Sequence, residues 1–148
     1  MSLERWFENG WLHPHEPSPK ETAELLEVAG RALADARVDG LTPDARVALA
    51  YPAVLALGAA ALAASGYRAG RDRHHERVID SLSYTLGMEP QIVGRLHRYR
   101  RMRNEMTYER VGRLDHREVN AFVSHVEKLR TAIVGWLAAT HPRLMSAG

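Results

Sequence analysis

Apolar residues recur at three- and four-residue intervals along most of the chain, and no stretch alternates convincingly with period two. Leu25, Val28, Ala29, Ala32, Leu33 and Ala36 form one inward stripe. Val78, Ile79, Leu82 and Leu86 form another, and Phe122, Val126, Leu129, Ile133, Trp136 and Leu137 a third. Stop and start signals divide these stripes. Ser18, Pro19 and Glu21 read as a capping box with proline at the first helical position. Thr42 with Pro43 repeats the start signal, and Asp115 with Glu118 forms a further capping box. Gly66, Gly87 and Gly112 read as stops. The pattern predicts helices over 3–12, 19–37, 43–65, 72–86, 90–110 and 116–140. The fold class is all-α: an antiparallel helical bundle of four main helices plus a short N-terminal helix, in one domain spanning 1–148. The N-terminal piece carries Trp6, Phe7 and Trp11 and is expected to lie across the bundle and cover apolar surface. The proline-rich stretch 13–20 reads as a loop, with His13 and His15 solvated in it.

One stripe has no polar side. Residues 47–65 run for nineteen positions without a charge, which is long enough to span a membrane. Alanine supplies much of the run, and Tyr51, Pro52 and Gly58 interrupt it. A helix that is apolar all round and poor in large side chains is expected in the middle of a core, not in lipid. Pro52 should remove one backbone bond there and bend the axis.

Composition sharpens the picture in two places. The chain has no cysteine, which excludes disulfides and thiolate chemistry. The formal net charge is only +2, so the distribution of arginine carries more information than its total. The first residues show no uninterrupted apolar run, and a cytoplasmic protein with no membrane partner is expected.

The arginines gather in "RLHRYRRMRNEMTYER", residues 95–110. Arg95, Arg98, Arg100, Arg101 and Arg103 follow one another with no acid between Glu89 and Glu105. On a helix advancing by about 100° per residue, Ile92, Leu96, Tyr99 and Met106 form the apolar stripe. Arg103 falls inside it, while Arg100, Asn104 and Tyr108 run along its flank. A core-facing guanidinium is costly unless it is paired or opens into a cleft. Two readings follow for Arg103: an ion pair with Glu24 or Glu27 on another helix, or a contact to phosphate, whose oxygens match the planar fork. Arg95, Arg98 and Arg101 read as a solvated basic face, and Tyr99 or Tyr108 could stack on a base.

His74 and His75 are adjacent, so they diverge by about 100° on a helix and do not make a metal pair. No metal or cofactor is expected. Either histidine could serve a site with Arg103, because helices 72–86 and 90–110 are consecutive and should pack together. The chain has no GxGxxG, P-loop, GxSxG or HExxH, and nothing in the spacing of Ser81, Ser83 or Ser124 with His125 suggests serine catalysis.

Four stretches together resemble one family. They are "LTPDARVALAYPAVL" (41–55), "SGYRAG" followed by "HH" (65–75), "RRMRNEMTYE" (100–109) and "WLAATHPRL" (136–144). They make nearly the whole chain similar to the HEPN superfamily of small helical bundles, in particular to a bacterial branch of it. The resemblance implies a homodimer in which two copies of an arginine–polar–histidine signature meet at the interface. It also implies metal-independent RNase activity or RNA binding, and in some members pairing with a nucleotidyltransferase-like protein. On this chain the signature's arginine and polar residue fall on Arg103 and Asn104, and Tyr108 occupies the histidine position. An ordinary tyrosine titrates near 10 and histidine near 6.5, so Tyr108 is the poorer acid–base group at pH 7. The expectation is therefore a basic cleft of Arg100, Arg103, Asn104 and Tyr108 at a dimer interface. It would bind RNA, a nucleotide or a partner protein, with or without catalysis. The alternatives are a metal-independent RNase that uses His74 or His75 in place of the missing histidine, and a non-catalytic subunit paired with a nucleotidyltransferase.

Overall fold

The structure is a computed structural model that describes residues 1–108, 112 and 114–146, and of 106–108 the backbone alone. Six α-helices and one two-stranded sheet make up the described chain. In order these are α1 (Leu3–Glu8), β1 (Leu12–Pro14), α2 (Pro19–Asp35), α3 (Pro43–Ala64), β2 (Tyr67–Ala69), α4 (His74–Thr85), α5 (Pro90–Tyr108) and α6 (His116–Thr140), with a closing 3₁₀ turn at Pro142–Met145. The long members α2, α3, α5 and α6 have 17, 22, 19 and 25 residues, and α4 adds a shorter one of 12.

The start signals act as the sequence implies. Ser18 Oγ accepts from the Glu21 backbone N–H at 3.1 Å, and Thr42 Oγ1 from that of Ala45 at 3.2 Å. Asp115 and Glu118 form a complete capping box. The first box is only half made, because both Glu21 carboxylate oxygens are taken by His15 Nε2 at 2.8 and 2.9 Å. His15 is thus a partner of α2 and not a solvated loop residue. Gly66 ends α3 with φ +97, a conformation that other residues rarely adopt.

α3 is the centre of the bundle. It packs on α2, α4, α5 and α6 and is buried on nearly every side, from Val47 to Ala63. Its length and composition would suffice for a membrane span, but 72% of its most apolar window lies buried inside the protein. Pro52 sits within α3 without ending it, on the exposed side. The small residues permit close approach: a Cβ on Gly58 would lie 2.6 Å from Val78 Cγ1 on α4. Around α3 the core gathers Leu33, Leu57, Ile79, Leu82, Leu96, Phe122, Ile133 and Leu137, each nearly removed from water. Each such side chain contributes about 1.5–3 kcal/mol of burial free energy. Val28, expected inward, is exposed; Leu25 and Leu26 take the contact at that end of α2.

The fold is not wholly helical. β1 and β2 pair antiparallel, with Leu12 opposite Ala69, His13 opposite Arg68 and Pro14 opposite Tyr67. α1 ends at Glu8, earlier than the expected 12, because Gly10 with φ +80 turns the chain into β1. Leu12 and Ala69 face inward and join Trp6, Leu62 and Val78 in a second, smaller apolar cluster. Trp6 does cover apolar surface, and Trp11 lies partly buried beside it under the Arg77 guanidinium, 4.3 Å away. Phe7 stays exposed.

Candidate functional site

α5 turns differently from the phase its apolar residues suggested. Val93, Leu96 and Tyr99 are buried and Met102 packs partly against the core, whereas Ile92 is 36% exposed. The inner face therefore advances in steps of three from Val93, and Arg103 falls outside it. Arg103 is exposed, not core-facing. Glu27, one of its suggested partners, pairs instead with Arg31 on its own helix at 3.8 Å. The arginine drawn inward is Arg100, whose side chain is 17% exposed.

Arg100 is held by α4 and by its own helix. Its Nε donates to His97 Nδ1 at 3.4 Å, and its NH1 lies 3.9 Å from Glu76 Oε1. His97 Nε2 in turn meets Asp80 Oδ1 at 2.6 Å. Because Nδ1 accepts from an arginine, which can only donate, the imidazole proton sits on Nε2 and points at Asp80. Asp80, His97 and Arg100 thus form a chain that fixes the guanidinium beside α4.

Arg103 reaches over α3. Its guanidinium carbon lies 5.6 Å from the centre of the Tyr51 ring, and its NH1 donates to Asn104 Oδ1 at 3.4 Å. Tyr51 Oη is 3.3 Å from His75 Nδ1, and the two rings lie 5.7 Å apart. Three consecutive helices therefore contribute to one cluster: Tyr51 from α3, His75 from α4, and Arg100 and Arg103 from α5. Asn104 lies at its exposed edge. Tyr108 closes α5, and its side chain lies outside the described residues, as does that of Met106.

Electrostatics in this cluster favour uncharged forms of the two rings. Burial pushes the Tyr51 phenol up to about 12, although Arg100 and Arg103 both pull it down. Burial pushes His75 below the ordinary histidine value, and His74, Arg103 and Arg100 push it further the same way. His75 is thus a neutral imidazole at physiological pH, flanked by two permanent cations. Neutral imidazole can take up a proton, and an arginine pair can hold an anion, so the cluster unites two elements of phosphate-ester chemistry.

His74 does not share it. Its Nδ1 is 3.1 Å from the Gly70 carbonyl oxygen, which turns the ring toward β2. His125 and Tyr99 form a separate pair between α5 and α6, with Tyr99 stacked on Phe122 at 4.2 Å. Burial raises the Tyr99 phenol and lowers His125. A small apolar cavity of 130 Å³ opens beside that pair, lined by Ile92, Leu96 and Leu129, with Arg95 and Lys128 at its sides. Among the described residues no three of His, Asp and Glu come together as a metal-holding group.

Sequence reasoning missed Tyr51, Glu76, Asp80 and His97. Tyr51 was read only as an interruption in an apolar run. His97 precedes Arg100 by three positions, the spacing of helical neighbours, and that signal was available. Comparison with known proteins adds no identification: no family model, no curated protein and no solved structure matches the chain.

Proposed function

We propose that the protein is a HEPN-like helical bundle that binds RNA through the arginines of α5, working as a homodimer. The observation that carries this reading is the convergence of Arg100 and Arg103 on Tyr51 and His75. Arg100 is preorganised by His97 and Glu76, so less of its freedom is lost when it meets a phosphate. Arg103 and Asn104 lie at the exposed edge of the cluster. Arg95, Arg98 and Arg101 continue the same helix and supply longer-range attraction for a polyanion.

The direct test is binding of a fluorescent RNA oligonucleotide, followed by anisotropy at several salt concentrations. Arg100→Ala and Arg103→Ala should each weaken binding and reduce the slope of log affinity against log salt by about one contact. Folded variants with unchanged affinity and unchanged slope would dispose of the proposal.

A second reading is favoured by His75 in particular: a metal-independent endoribonuclease. In one tautomer His75 Nδ1–H donates to Tyr51 Oη, which leaves the Nε2 lone pair able to take the 2′-hydroxyl proton. The freed 2′-oxygen attacks the adjacent phosphorus, the P–O5′ bond breaks, and the 5′-oxygen leaves with a proton from solvent. Arg100 and Arg103 would stabilise the charge gathering on the phosphoryl oxygens. His75 then stands in for the histidine replaced by Tyr108. Cleavage of RNA in EDTA, lost in His75→Ala and kept in His74→Ala, would support this reading, whereas intact RNA would leave binding alone. A partnership with a nucleotidyltransferase-like protein has no observation of its own to favour it.

A further inference from the structure

Two arginines and two histidines gather where the small sheet meets the start of α4. The strand register places His13 opposite Arg68, while their neighbours Leu12 and Ala69 pair inward on the apolar cluster. Alternation along a strand therefore sends His13 and Arg68 together to the outer face. Arg71 and His74 close the same space, a crevice of 690 Å³ lined by these four residues with Ala69 and Gly70. No acid lines it. Asp72 pairs with Arg77 at 3.6 Å and Glu76 with Arg73 at 3.0 Å, and Glu21, which lines the adjoining pocket with Arg68 and His74, is held by His15 at 2.8 Å. Among the described residues neither Arg68 nor Arg71 makes an ion pair.

Two of the four rings and guanidinia are held in place. A Cβ on Gly70 would lie 3.3 Å from His13 Nε2, so glycine lets the imidazole rest against the β2 exit. Gly70 also donates its N–H to the Trp11 carbonyl at 3.0 Å, which locks that exit to β1. His74 Nδ1 donates to the Gly70 carbonyl at 3.1 Å, and its Nε2 is left to address the crevice. The volume lies within the range of roughly 300–1,000 Å³ typical of small-molecule sites.

We propose that this crevice is a binding site for a phosphate monoester group, with Arg68 and Arg71 as the principal contacts and His13 and His74 as flanking donors. A pair of guanidinia matches the oxygens of the dianion, and the two imidazoles can donate to them. The crevice shares no lining residue with the Tyr51–His75 cluster, although the His74 and His75 rings lie 6.2 Å apart.

Isothermal titration of the full chain at constant ionic strength tests this with three probes: adenosine 5′-monophosphate, a short RNA bearing a 5′-phosphate, and the same RNA with a 5′-hydroxyl. Arg68 and Arg71 are exposed, so Arg68→Ala and Arg71→Ala should fold, and circular dichroism checks that they do. Saturable binding of the nucleotide, weakened roughly tenfold in each variant and unchanged in Arg103→Ala, supports the site with a free phosphoester as its source. For RNA, a higher affinity of the 5′-phosphate form over the 5′-hydroxyl form that disappears in Arg68→Ala and in Arg71→Ala supports it with an RNA end as the source. No saturable binding of either, or binding that both folded variants retain in full, overturns it. Loss of affinity for both RNAs in Arg103→Ala reports on the α5 reading separately.

Discussion

Replacing Gly58 with alanine tests the contact that sets α4, and with it His75, against α3. The new Cβ would lie 2.6 Å from Val78 Cγ1 and 3.3 Å from the Val78 carbonyl oxygen. The methyl group could move by rotation, but a helical valine strongly prefers one rotamer, and the carbonyl cannot rotate away. Overpacking of this kind costs about 1–3 kcal/mol. Against it stands the gain of about 1 kcal/mol when alanine replaces glycine inside a helix. The net expectation is a loss of about 1 kcal/mol, or a fall of roughly 2–4 °C in Tm for a chain of this size. Val78 is buried, so Val78→Ala alone should also destabilise, through lost burial and a cavity. In the double variant the clash with Cγ1 disappears, and the loss should be smaller than the sum by at least about 0.5 kcal/mol. Urea and thermal denaturation followed by circular dichroism give all four values. A Gly58→Ala variant more stable by the full propensity term, additive with Val78→Ala, would refute the close approach. The site should respond as well: displacement of α4 lengthens the 3.3 Å contact from Tyr51 to His75, so Gly58→Ala should shift the His75 titration measured by NMR.

Further predictions concern pH and the far end of the bundle. His75 and His125 both titrate below the ordinary histidine value in the folded chain, mainly through burial. The unfolded chain therefore binds protons that the folded chain resists. Stability should be undiminished above about pH 6.5 and fall as pH drops through that value. His75→Gln with His125→Gln should flatten the slope of unfolding free energy between pH 7 and pH 5; an unchanged slope would contradict the assignment. Arg46 ties three elements, donating to the Ala36 carbonyl at 2.8 Å and to Asn120 Oδ1 at 2.8 Å, with His116 Nδ1 at 3.2 Å. Arg46→Ala should cost about 1 kcal/mol in urea titration, because the carbonyl of buried Ala36 loses its donor while the exposed Asn120 and His116 can turn to water. Arg37 and Glu127 form a nearby but half-exposed ion pair, so Arg37→Ala should cost less, below about 1 kcal/mol, and the remaining contribution should shrink in high salt.

Much of the bundle was legible because its signals are local. Proline at the first helical position, a hydroxyl before it and an apolar stripe behind it fixed the starts of α2 and α3, and the Asp115–Glu118 box fixed that of α6. The all-round apolar run of α3 announced its central position. The sheet was invisible for the opposite reason. Each strand has three residues and only one inward side chain, Leu12 or Ala69, too few to show a period. The phase of α5 was misjudged because Ile92 and Val93 are adjacent and either could begin an inward stripe. The structure chose Val93, which carried Arg103 outward and brought Arg100 toward Glu76.

The choice between His74 and His75 was also open to sequence reasoning. His75 precedes Ile79 by four positions and Leu82 by seven, so it shares their inward face, whereas His74 lies about 100° away. The pairing of His75 with Tyr51 was not legible, since the two are joined only by the packing of α4 on α3. Likewise nothing local says that Arg103 lies over Tyr51.

The most direct measurement is an NMR titration of the folded protein with a short single-stranded RNA, read residue by residue. Shift changes concentrated at Tyr51, His75, Arg100, Arg103 and Asn104, and lost in Arg103→Ala, are the predicted result. Changes confined to the Arg95–His125–Lys128 side, or none at saturating RNA, would contradict the placement of RNA on the Tyr51–His75–Arg100–Arg103 cluster.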